Sequence, residues 1–130
     1  MNIRKPTDYT AMFAALDAAV AAQLPQMELY REIGRVVGGR AEKGAAVAAS
    51  EYLQAAYPAA DGFSPRNVRR MRDFYRMYGD TPELLAEAMR LNWTQNVVIM
   101  EAGLTMDERC WYIRKAAESG LSKTELLRMI

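Results

Sequence analysis

Five arginines stand close together in this chain, Arg66, Arg69, Arg70, Arg72 and Arg76, with Asp73 the one acid among them. A guanidinium is a planar fork of donors that pairs two-to-two with phosphate oxygens or with the major-groove edge of guanine. The formal net charge of the whole chain is only +1, so this segment is where positive charge is gathered. Asn67, inside the cluster, could read an adenine edge through its amide, or hold backbone near the start of a helix. The chemistry expected of such a face is phosphate tracking or groove entry on nucleic acid. The bland alternative is a solvated face whose arginines pair with carboxylates from elsewhere in the chain.

Other chemistries lack their residues. The chain has no histidine and one cysteine, Cys110, which leaves no Ser-His-Asp or Cys-His catalysis, no histidine-ligated zinc and no thiolate metal site. Neither a GxxxxGK[ST] loop nor a GxGxxG turn is present to cradle phosphates. No Asp or Glu has Lys two positions later, so the active-site pattern of PD-(D/E)xK nucleases is missing. The expectation is a non-catalytic chain with no cofactor and no metal.

A helix must carry the arginines. Ser64 is placed to cap it and Pro65 to occupy its first position, where a missing N–H costs nothing. At about 100° per residue, Val68, Met71, Phe74, Tyr75 and Tyr78 fall on one arc, suited to a core. Arg66, Arg69, Arg70 and Arg76 fall on the opposite arc, with Arg72 at its edge. This helix spans 65–78.

The rest of the chain reads as helical too, rich in Ala, Leu, Met, Glu and Arg and almost without alternating β-branched runs. Thr7 or Asp8 caps a first helix to about Gln23, and Pro25 interrupts it or opens the next. Met27, Tyr30, Ile33, Val36 and Val37 line one face of a second helix that stops at Gly38 and Gly39. A third runs from about Ala45 to Tyr57, with Val47, Tyr52, Leu53 and Ala56 apolar, and ends at Pro58. After the arginine helix, Asp80 or Thr81 with Pro82 starts a short fifth, Thr94 is placed to cap a sixth, and Thr105 or Asp107 begins a seventh. Gly120 breaks that one, and Ser122 caps the last. The third helix, a loop and the capped arginine helix follow a helix-turn-helix order, although 58–62 is longer than the usual tight turn.

A second helix-turn-helix lies at the C-terminal end. Ala116 permits close crossing, Gly120 supplies the turn, and Leu121, Leu126 and Met129 are its apolar anchors. Its exposed side carries Lys123 and Arg128 but also Glu125, a weaker basic surface. The aromatic residues Phe74, Tyr75, Trp93, Trp111 and Tyr112 are expected in the core rather than as stacking platforms, and Cys110 as packing.

At 130 residues, 51% hydrophobic and 25% charged, the chain has the balance of one folded domain. A lone cysteine fits a reducing cytosol. Arg4 and Lys5 ahead of the alanine-rich run 11–22 superficially resemble a secretory signal, but Asp17 interrupts the run. No stretch reaches the roughly 18 apolar residues of a membrane span. A cytoplasmic protein without membrane contact is expected.

Five blocks in one order carry a family resemblance: Glu28–Arg35 (ELYREIGR), Gly62–Tyr75 (GFSPRNVRRMRDFY), Leu91–Asn96 (LNWTQN), Asp107–Lys115 (DERCWYIRK) and Gly120–Ser122 (GLS). Over about 27–130 the chain resembles the N-terminal domain of the YhcG-type bacterial nucleases. The resemblance implies a helical, winged-helix-like module ahead of a PD-(D/E)xK nuclease domain, binding DNA or assembling the protein. Where the family carries Gly-Trp-Gly after its second helix, this chain has Glu42–Ala45 (EKGA). It ends at Ile130, where the nuclease domain would begin; a stand-alone member and a truncated one both fit.

The sequence thus leads to an all-α helical bundle, residues 1–130, with helix-turn-helix or winged-helix-like elements. Its leading function is DNA binding through Arg66, Asn67, Arg69, Arg70, Arg72 and Arg76, with Lys123 and Arg128 as a secondary site. The rival is protein assembly, as a homodimer or by docking a nuclease domain or other partner.

Overall fold

The structure is a computed structural model that describes residues 6–130; the signal-like Arg4 and Lys5 lie outside the described residues. Eight helices run in order: α1 Thr10–Ala21, α2 Gln26–Gly38, α3 Ala45–Ala56, α4 Pro65–Tyr78, α5 Pro82–Ala88, α6 Trp93–Glu101, α7 Met106–Ser119 and α8 Lys123–Met129. The all-α class read from the sequence holds. No strand occurs among the described residues, so the winged-helix element has no β-wing there.

The closest crossing joins α2 to α4. Gly34 faces α4 so tightly that a Cβ on it would overlap the Met71 carbonyl oxygen and stand 3.2 Å from Tyr75 Cβ. The absence of a side chain lets the two backbones meet, and the apolar stripe of α4 then fills the space around them. Val68, Met71, Phe74 and Tyr78 are wholly buried, and burying each of the first three stabilises by roughly 1.5–3 kcal/mol. Tyr75, placed on the same arc, is half-buried at its edge.

Of the four apolar positions expected on α3, Leu53 is buried, and alanines take the places expected of the others. Ala45, Ala46, Ala49, Ser50 and Leu53 are buried, whereas Val47 and Tyr52 are half-buried and Ala56 is exposed. Hydrophobicity ranks Val47 above Ala46, but close packing rewards small side chains. Ser50 tolerates burial because its hydroxyl donates to the Phe63 carbonyl at 2.6 Å. Helix α1 begins at Thr10, after the expected caps, with Asp8 Oδ1 accepting from the Thr10 N–H at 2.9 Å. It is held to α3 by a carboxylate clamp: the hydroxyls of Tyr52 and Tyr57 donate to the two oxygens of Asp17 at 2.5 and 2.6 Å. Those two bonds hold the Asp17 carboxyl below the ordinary aspartate range, and the same carboxylate pushes Tyr57 up to about 12.

Helices α5 to α8 form the second half of the same core. Asn92, not Thr94, caps α6: it accepts from the Gln95 N–H at 2.8 Å, and the Gln95 side chain accepts from the Asn92 N–H at 2.8 Å. A cap needs extended backbone just before the first turn, which Asn92 has. Thr105 makes the equivalent box with Glu108, and Ser122 caps α8. Gly120 takes φ +63° and ends α7 in the left-handed region. Ala116, Leu121 and Leu126 are buried beneath this turn, as expected, but Met129 and Trp111 are largely exposed. Tyr112 is half-buried, its hydroxyl on the Met129 carbonyl at 3.1 Å. Trp93 joins the two halves, edge-on to Tyr30 at 5.0 Å and to Phe74 at 5.8 Å between ring centres.

Candidate nucleic-acid interface

The arginine helix starts where the sequence places it. Ser64 Oγ accepts from the Asn67 N–H at 3.2 Å, and Pro65 occupies the first position. The connection before it, 57–64, is shaped by Gly62 at φ +90°, where a Cβ would also collide with the Tyr30 hydroxyl. Asn67 holds that bend: its Nδ2 donates to the Gly62 carbonyl at 2.7 Å, and its Oδ1 accepts from Trp93 Nε1 at 2.8 Å. Two-point recognition of adenine requires the amide oxygen and nitrogen together, and both are engaged inside the protein. Asn67 thus positions the helix through both amide atoms.

The five guanidiniums do not form one free face. Arg76 Nε and an Nη donate to the carbonyls of Gly38 and Arg40 at 3.3 and 2.9 Å, capping the C-terminal end of α2, where a cation is favoured. Arg72 turns to its neighbour Asp73 at 3.0 Å. Arg70 pairs with Glu101 on α6, and this hydrogen bond is the main cause holding the Glu101 carboxyl below its ordinary range. Arg66 and Arg69 differ. Both are exposed, and among the described residues neither has an ion-pair or side-chain hydrogen-bond partner. They stand on the first turns of α4, which has no acid in its first turn.

The secondary candidates separate. Lys123 comes to the same side of the molecule as Arg70, and both line a groove between α4, α6 and α8. Arg128 is exposed on α8 but does not line the groove. Val97, Val98 and Leu127 form its apolar part. Sequence reasoning missed Glu101 and this groove, because Glu101 is 31 positions from Arg70 and no local pattern links them. Among the described residues no group of His, Cys, Asp and Glu is placed to hold a metal, and no helix is long and apolar enough to cross a membrane.

A family model described as the DUF1016 N-terminal domain matches residues 12–130. That domain is the N-terminal domain of the YhcG-type family, so the resemblance read from the five sequence blocks is borne out. No curated protein and no solved structure matches the chain.

Proposed function

We propose a DNA-binding role from one premise: the chain belongs to the DUF1016 N-terminal domain family. In this reading the domain is a non-catalytic module that grips the phosphate backbone with the start of α4. The observation that carries it is the division among the arginines. Arg70, Arg72 and Arg76 have protein partners, while Arg66 and Arg69 project unpaired from the N-terminal turns of a helix that follows a helix and a turn. The N-terminal part of the second helix is also what helix-turn-helix proteins bring to DNA. Free guanidiniums at a positive helix end favour phosphate oxygens over any neutral ligand.

Because Asn67 is engaged internally, binding is expected to be tolerant of sequence, set by phosphate contacts rather than base edges. Arg70 joins the footprint when it exchanges Glu101 for a phosphate. Fluorescence anisotropy on a labelled duplex, repeated at rising salt, tests the reading. Saturable binding at low salt that is abolished in Arg66→Glu/Arg69→Glu is the expected result. Binding that survives both charge reversals overturns it.

A further inference from the structure

We propose that the groove between α4, α6 and α8 receives an acidic amphipathic helix of a partner protein, a role beyond DNA contact. The groove measures about 380 Å³ and continues into a second depression of about 230 Å³ along α6, the two sharing Arg70, Val97, Val98 and Lys123. Val97, Val98 and Leu127 floor the first, and the second adds Asn67, Trp93 and Thr94. Leu127 keeps 57% of its surface exposed.

Phosphates cannot cover such a floor, since they bring no apolar surface to bury against it. An amphipathic helix can, with anchors spaced one turn apart lying along the groove. The rim selects its charge. Lys123 has no ion-pair partner among the described residues, and Arg70 pairs with the one carboxylate on the rim, Glu101. Two cations against one acid leave the rim net positive, which complements carboxylates flanking the anchors.

The test uses the full chain and three fluorescein-labelled peptides: a helical peptide with Leu at i, i+4 and i+7 flanked by Glu, the same peptide with Lys for Glu, and one with Ser for Leu. Saturable binding of the acidic peptide is expected, weakened by about tenfold or more in each control peptide. Leu127→Asp abolishes that binding while retaining the helical circular dichroism and the DNA affinity of the parent. Lys123→Glu, a surface change with no packing role, weakens the acidic peptide and favours the lysine one. Failure of the acidic peptide to bind, indifference to its charge, or indifference to Leu127→Asp overturns the proposal. So does Leu127-dependent self-association by light scattering, which would make a second copy the occupant. Loss of DNA binding in Leu127→Asp would assign the groove to nucleic acid instead. Loss of DNA binding in Arg66→Glu/Arg69→Glu with peptide binding intact keeps the two sites distinct.

Discussion

Trp93 Nε1 donates to Asn67 Oδ1 at 2.8 Å, tying the first residue of α6 to the first turn of α4. Asn67 also holds the Gly62 carbonyl, so one amide fixes the loop before the arginine helix and the helix that packs beside it. Asn67→Ala leaves a largely buried indole N–H without its partner, at a cost of about 1–3 kcal/mol. Urea denaturation should show that loss. Asn67→Asp, which keeps the acceptor for Trp93 but loses the donor to Gly62, should cost less than Asn67→Ala if the indole bond is the larger contribution.

The Gly34 crossing gives a second expectation. A methyl there meets the Met71 backbone rather than a movable side-chain tip, so α2 and α4 must separate. Gly34→Ala should destabilise by about 2–3 kcal/mol in spite of alanine's better helix propensity, seen as a lowered Tm. An unchanged or raised Tm would contradict the packing.

The division among the arginines sets the salt dependence of DNA binding. Two free guanidiniums, with Arg70 as a third, neutralise about two to three phosphates and give a slope of log K against log salt of roughly −2 to −3. Five free arginines would give about −4.5. The slope separates these cases without a structure of the complex.

Glu101 competes with phosphate for Arg70. Glu101→Gln removes that competitor and should tighten DNA binding by roughly two- to fivefold, the range of an exposed ion pair, with a change in folding stability below about 1 kcal/mol. Weaker binding in this variant would mean that the ion pair orients Arg70 for the ligand.

The clamp of Asp17 by Tyr52 and Tyr57 makes stability depend on pH at both extremes. The Asp17 pKa is depressed in the fold, so its contribution is complete above the unfolded value of 3.8 and fades as pH falls through the lower folded one. The Tyr57 pKa is raised, so its contribution is complete below the unfolded value of 10.0 and fades as pH rises towards about 12. The stability gap between the parent and Tyr52→Phe/Tyr57→Phe should be widest near neutrality and narrow in both directions. A gap independent of pH would exclude the clamp as its source.

Local signals in the sequence were legible because their causes are local. Ser64 with Pro65, Ser122 and Gly120 each act within four residues and stand where expected, and of Thr105 and Asp107 it is Thr105 that caps α7. The core stripe of α4 followed from helical periodicity alone. What periodicity could not give was the destination of long side chains. Arg76 caps a helix 38 positions earlier in sequence, and Arg70 finds Glu101 across the fold. On α3 Leu53 was legible, but the buried Ala45, Ala46 and Ala49 were not, because hydrophobicity ranks Val47 above them. Trp111 was expected inside and is 53% exposed, since its neighbours Cys110 and Tyr112 lie nearer the core and Ile113 takes the buried position.

Arg76 has a mechanical consequence. It grips the Gly38 and Arg40 carbonyls, and Arg40 in turn reaches the Asp8 carbonyl at 3.0 Å and lies over the Tyr9 ring at 5.0 Å. Gly34 leaves no slack between the backbones of α2 and α4, and Arg76 and Arg40 continue that junction, contact by contact, to the threshold of α1.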